Sequence, residues 1–343
     1  MKRVRIAALL MSALLFAGCR QPVSLTDRAV VKMICVAGQP QDYRVQLVAY
    51  TAAEGGTESS EKKTLLISGG GETVKTALID AQQQLREQLF YAQNELLLVE
   101  ETTAAGSLSE ILRFFSEERS SRPNMAVFAY RAAEEGALLD TEGVEAVVDA
   151  LEEMKDGDGP ERSLTQMIYR FDLAGRSQDF FLLPRLAAAE DGPVKTDALL
   201  LLQQGQPTLA LTGEEKQLAE LLLGGADRFR YDAGEQSCTL TNPRLTIQVE
   251  QDTAQLTVSL VGEVKDLSLQ NDPGQLEQAL TDRLQQTFSQ LYQRCYLERG
   301  IDLFRFGWHF LQWDAATYAP LIRQKTLFGE NTVRFDPKVT VVA

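Results

Sequence analysis

Between Ala29 and Leu151 the apolar residues of this chain change period several times, and each change demands a change of secondary structure. "AVVKMICVAG" and "YRVQLVAYT" read as two strands turning around Gly38–Pro40. "TLLIS" reads as a short strand broken by "SGGG", Ser68 to Gly71. From Thr73 the spacing becomes helical, with Val74, Ala77, Leu78, Ala81, Leu85 and Leu89 on one face. "NELLLVEE" is then apolar without a break, as a strand covered on both faces must be. Ser107 and Glu110 form a capping box ahead of Leu108, Ile111, Leu112 and Phe115. "NMAVFAY" is a further strand, and helices follow over Thr141–Glu153 and from Ser163. Strands alternating with amphipathic helices imply a mixed α/β domain ending near Asp191.

"EDGPVK", Glu190 to Lys195, is the best linker candidate. Beyond it a hairpin turns at Gly205–Pro207, and a short helix over Glu214–Leu223 stops at Gly224–Gly225. "RLTIQVE" and "AQLTVSLVGEV" alternate as antiparallel strands with one wet face do. Asp272 then caps a long helix with Pro273 at its first position. Its stripe runs Leu276, Leu280, Leu284, Phe288, Leu291, Tyr292, Cys295, and Gly300 ends it. A run dense in aromatics and a final strand from Asn331 complete the chain.

The N-terminus has a different logic. Lys2, Arg3 and Arg5 precede an apolar run from Ile6 to Phe16, which at ~1.5 Å per residue is too short for a ~30 Å bilayer core. Small residues Ala17 and Gly18 follow, and Cys19 stands where cleavage of a secretory signal would fall. "LLFAGC" resembles a bacterial lipobox, which implies that Cys19 carries a thioether-linked diacylglycerol and becomes the mature N-terminus. A signal peptide with a chance cysteine, or an uncleaved anchor, is the plainer alternative.

Charge narrows the partners. The formal net charge is −14, and loss of Lys2, Arg3 and Arg5 with the signal takes it to −17. A surface this acidic argues against phosphate-backbone binding, which needs clustered Lys and Arg, so no nucleic acid is expected. It also argues against adhesion by charge to an anionic leaflet, which leaves the anchoring to the lipid. Three cysteines remain besides Cys19, an odd number without metal-ligand spacing. Cys35 and Cys295 lie on apolar faces, as small buried hydrophobes do, and a Cys35–Cys238 or Cys238–Cys295 bridge stays open.

Catalytic signals are sparse. His309 is the only histidine and sits between Trp308 and Phe310, where packing explains it better than base catalysis. "GGGET" before a helix could cradle an anion, but it lacks the P-loop and dinucleotide patterns, and Glu72 would repel a phosphate. Glu100–Glu101 and Glu214–Glu215 need no special role in so acidic a chain. No enzyme activity, cofactor or metal is expected.

Taken together, the motifs resemble the GerAC family, the C-subunit lipoproteins of spore germinant receptors. The lipobox leads, although the segment after Cys19, which begins Arg20, Gln21, lacks the family's Trp and early Asp. Gly71, Thr73, Ala77, Leu78, Leu89, Phe90 and Glu100 match a family helix-and-strand segment, with Gln93 where His is common. Gly106, Leu112, Arg119 and "FLLPRL" match in order, and Ala210 replaces a Gly. Ile301, Asp302, Phe304, Gly307 and Tyr318–Pro320 close the series.

The resemblance implies an α+β (mixed α/β) protein of three packed domains with mixed or antiparallel sheets and flanking helices. The expected divisions are a signal peptide over 1–18, an α/β domain over 19–190, a small one over 191–240, and an α+β domain over 241–343. The resemblance also implies a non-catalytic C subunit, held by lipid on the outer face of the inner spore membrane. It would assemble there with integral membrane A and B subunits to trigger nutrient-induced germination. Asp302, Phe304, Phe306, Gly307, Trp308 and Trp313 are the nominated partner contacts, although core packing would use the same residues. The rival is a solute- or cell-wall-binding lipoprotein of a vegetative cell, with the run 304–313 lining a cleft. A lipoprotein hydrolase ranks last.

Overall fold

In the computed structural model the described residues are 27–51, 63–118, 122, 124–131, 144–156, 180–187, 194–203, 206–233, 236–250, 254–265 and 272–342. The lipobox with Cys19, Arg119, the helix expected from Ser163, and Glu190–Pro193 of the candidate linker lie outside them.

Among the described residues nine strands form one mixed sheet: β1 (Arg28–Gln39), β2 (Asp42–Thr51), β3 (Lys63–Gly71), β4 (Gln88–Phe90), β5 (Leu96–Glu100), β6 (Ala126–Tyr130), β7 (Phe180–Ala187), β8 (Lys195–Gln203) and β9 (Gln206–Thr212). The order is β3-β2-β1-β5-β6-β7-β8-β9, with β4 pairing β1. β1, β5, β6 and β7 run parallel, and an antiparallel pair extends each flank. Leu96–Val99 and all of β6 are buried, which is why these central strands read as unbroken apolar runs.

Helices α1 (Val74–Gln83) and α2 (Glu101–Glu117) cover one face of this sheet, and α3 (Val144–Asp156) covers the other. A second sheet, β10 (Arg228–Ala233), β11 (Gln236–Val249), β12 (Leu256–Lys265) and β13 (Val333–Val342), is antiparallel except that β13 joins β12 parallel. Its core holds side chains from α4 (Gly213–Leu222), α5 (Pro273–Tyr292) and α6 (Phe306–Arg323). Six α-helices are thus found among the described residues, and the fold is mixed α/β.

The two sheets are joined through β7 and β8. Leu200 and Leu202 point into the core under α2, while Leu199 and Leu201 belong to the core of the second sheet. The sheet that begins at β1 therefore continues across residue 190 to Thr212, and β10 opens the second sheet.

Several local expectations are corrected. "SGGG" does not break β3, which runs through Gly71. Gly69 and Gly71 are there because α1 lies almost on the strand. A Cβ on Gly69 would stand 2.3 Å from the Ala77 carbonyl oxygen, and one on Gly71 would stand 2.6 Å from the Ala77 nitrogen. Helix α1 stops at Gln83, short of Leu85, and Leu89 lies in β4. The Ser107–Glu110 pair caps nothing, since α2 already begins at Glu101 and Ser107 is buried in its middle. Its acidic first turn, Glu101 at the positive helix end, marks the true start.

Candidate functional site

The sequence points first to the corner between α5 and α6. Asp272 caps α5, its carboxylate accepting the Gly274 N–H at 3.0 Å. The helix ends in a π-turn over Gln293–Leu297, closed by Glu298 N–H donating to the Gln293 carbonyl at 3.0 Å. The widened turn lets consecutive residues Cys295 and Tyr296 both face inward. Burial pushes the Cys295 thiol up to about 12, and the thiol behaves as packing rather than as a nucleophile.

Asp302 organises the start of α6. Its two carboxylate oxygens accept the N–H groups of Phe306 at 2.7 Å and Gly307 at 2.8 Å, so the residue caps α6 from outside the helix. Arg305, at φ 56°, bends the chain into that cap. A Cβ on Gly307 would lie 2.8 Å from the Asp302 carboxylate and 3.3 Å from Ile322 Cδ1. Asp302 and Gly307 are therefore two halves of one helix start.

Phe304 and Phe306 are buried in an aromatic cluster with Phe288, Tyr292, Tyr296 and Phe335, the tightest pair being Phe288–Phe335 at 4.5 Å between ring centres. The Tyr296 hydroxyl accepts the Phe304 N–H at 2.7 Å, and complete burial raises its pKa well above the phenol range. Of the six nominated residues only Trp308, 59% exposed, and Trp313, 40% exposed, present large apolar surface to solvent. His309 is half-buried with its pKa lowered by that burial, so it remains a neutral imidazole at pH 7.

The paired carboxylates have structural partners. Glu214 meets Arg283 at 2.6 Å and Glu215 meets Arg294, which together clamp α4 to α5 and to the π-turn that follows it. Glu101 meets Arg185 at 3.1 Å and Arg131 at 3.1 Å, while Arg185 makes a two-pronged contact with Asp197 at 2.9 and 2.7 Å. Arg185 is 4% exposed, and its charge is tolerated because two carboxylates surround it. Sequence reasoning passed over this node. Its signal was an arginine inside the apolar run "FLLPRLAAA".

Sequence reasoning also missed a cleft of about 410 Å³ over the carboxyl ends of β1, β3 and β6. Arg44, Gln46, Ser68 and Tyr130 contribute polar atoms, and Gly70 and Ala37 leave the floor open. The anion cradle considered at "GGGET" is closed off differently. Thr73 Oγ1 accepts the Thr76 N–H at 3.1 Å, and Thr76 Oγ1 accepts the Thr73 N–H at 2.9 Å. Among the described residues no His, Cys, Asp or Glu side chains converge as metal ligands, and no helix is long and apolar enough to cross a membrane.

Residues 21–179 match the family model described as the spore germination protein N-terminal domain. No curated protein sequence matches the chain. Among solved structures the fold is similar to one titled "Crystal Structure of the GerBC protein". The TM-score is 0.52 over 88% of this chain and 94% of that chain, at 12% identity. At that identity the likeness concerns the fold.

Proposed function

Since this chain is a GerAC-type spore germination protein, we propose that it serves as the lipid-anchored, non-catalytic C subunit of a germinant receptor. The observation that carries the reading is the family match over 21–179, continued by a shared fold that reaches far beyond those residues. Cys19 would bear the lipid and hold the body at the outer face of the inner spore membrane. Integral membrane A and B subunits would be its partners. Of the nominated contacts, Trp308 and Trp313 have the exposed area to meet such a partner. Asp302, Phe304, Phe306 and Gly307 would shape the helix that carries them.

A non-catalytic role is in keeping with the state of the two buried thiols, Cys35 and Cys295. The Cys35 thiol is pushed up to about 12 by burial, as is that of Cys295. Neither is a thiolate at neutral pH.

Solubilising spore membranes and recovering a tagged form of the chain tests the assembly. The reading expects two multi-span subunits to co-purify, and expects Cys19→Ala to move the chain into the soluble fraction. Recovery with an ABC-type permease instead would favour the solute-binding alternative.

A further inference from the structure

The cleft beside α3 owes its shape to strand register. On this face of the sheet, cross-strand partners form rows. The row Leu66, Val48, Met33 lies in the apolar core with α3. The next row, Ser68, Gln46, Cys35, is small and mixed, and the next, Gly70, Arg44, Ala37, has one large side chain among three. Tyr130 closes the far wall from the end of β6. The apolar face thus turns polar and hollow toward the carboxyl ends of β1 and β6. Open α/β sheets characteristically place ligands there, and the volume lies in the range of small-molecule sites, roughly 300–1,000 Å³.

We propose that this cleft binds a small organic monocarboxylate, with the guanidinium of Arg44 as its anchor. The charge pattern selects that chemistry. In a chain with 48 acidic and 34 basic residues, no carboxylate lies within ion-pair distance of Arg44 among the described residues. An arginine fork held open in a hollow suits a planar carboxylate. Gln46 and Ser68 supply neutral hydrogen-bonding groups beside it, and burial raises the Tyr130 pKa, so its hydroxyl stays protonated as a donor.

The two carboxylates nearby are already engaged. Asp80 accepts the Gly70 N–H at 3.0 Å, and Glu100 accepts the Gly38 N–H at 3.4 Å and the Thr103 Oγ–H at 3.1 Å. Asp80 lines the cleft, and its side chain would repel a second carboxylate on the ligand. The pocket is accordingly built for one negative group and a neutral body, whether or not the chain serves in germination.

Calorimetric titration of the purified full-length chain in detergent tests it, with benzoate and 3-hydroxybutyrate as monocarboxylates, succinate as the dianion and benzamide as the uncharged control. Saturable binding of at least one monocarboxylate is expected, at least ~10-fold tighter than succinate or benzamide. Arg44→Gln is expected to weaken it at least ~10-fold. Gly70→Val provides a second variant, because a Cβ there meets only the Tyr43 carbonyl oxygen, at 3.9 Å, and the added side chain occupies the hollow. It is expected to abolish binding while circular dichroism and unfolding remain as in the parent. Absence of binding by both monocarboxylates, or affinity unchanged in Arg44→Gln or Gly70→Val, would overturn the proposal.

Discussion

Two arginines on the same sheet meet opposite fates. Arg185 on β7 is 4% exposed and is gripped by Asp197 and Glu101, with Arg131 sharing the latter carboxylate. Arg44 on β2 is exposed at the rim of a cleft, and no carboxylate is paired with it among the described residues. The difference follows from desolvation. A guanidinium taken out of water must be neutralised by its own chain or the fold does not form. One left at a wet rim carries no such demand, so its charge remains available to a partner. Arg185 ties β7 and β8 to the start of α2, whereas Arg44 contributes little to holding the sheet together.

Substitutions can break or sharpen this contrast. A residue held by packing alone sets the upper end. Phe288→Ala empties the centre of the aromatic cluster and should cost about 4 kcal/mol in urea unfolding. Arg185→Ala removes the cation between Glu101 and Asp197, leaving Asp197 without its two-pronged partner and Glu101 with Arg131 alone. Its expected cost is about 3 kcal/mol, below a fully buried pair because both carboxylates are partly exposed. A loss under about 1 kcal/mol in thermal scans, the level of a surface pair, would erase the distinction between the two arginines.

Gly69→Ala drives a methyl into the backbone of α1 and should cost about 2 kcal/mol, read as a lowered denaturant midpoint. Asp302→Ala removes the α6 cap and should cost about 1 kcal/mol. If folding and germination were both untouched by that change, the corner would lose its claim to matter. Smallest of all, Arg44→Gln should change stability by less than about 0.5 kcal/mol, since it breaks no ion pair among the described residues. A larger loss by chemical denaturation would make Arg44 a structural residue after all.

Much of the fold was written in one dimension. The strands β5 and β6 announced their double-sided burial by being apolar throughout, and α5 announced itself by Asp272, Pro273 and an even stripe. What failed to read were places where a neighbour in space reversed a local rule. Three glycines in a row usually end a strand, yet here Gly69 and Gly71 admit a helix on one face while Gly70 opens the cleft on the other. Ser107 with Glu110 has the spacing of a cap, yet tertiary packing starts α2 well before it, at Glu101.

The site obeys the same division. Asp302, Phe304, Phe306 and Gly307 were visible as a motif, but only burial separates them from Trp308 and Trp313. The Arg44 cleft was not legible at all, because it depends on register: Gly70, Arg44 and Ala37 become neighbours only when three strands pair.

The receptor role is the central claim, and spore germination tests it most directly. Spores lacking this gene, in a strain without a redundant receptor, would be exposed to nutrients and followed by loss of optical density. The account predicts that the response disappears, returns with the wild-type gene, and returns poorly with Cys19→Ala. A normal nutrient response in the deletion strain would contradict it.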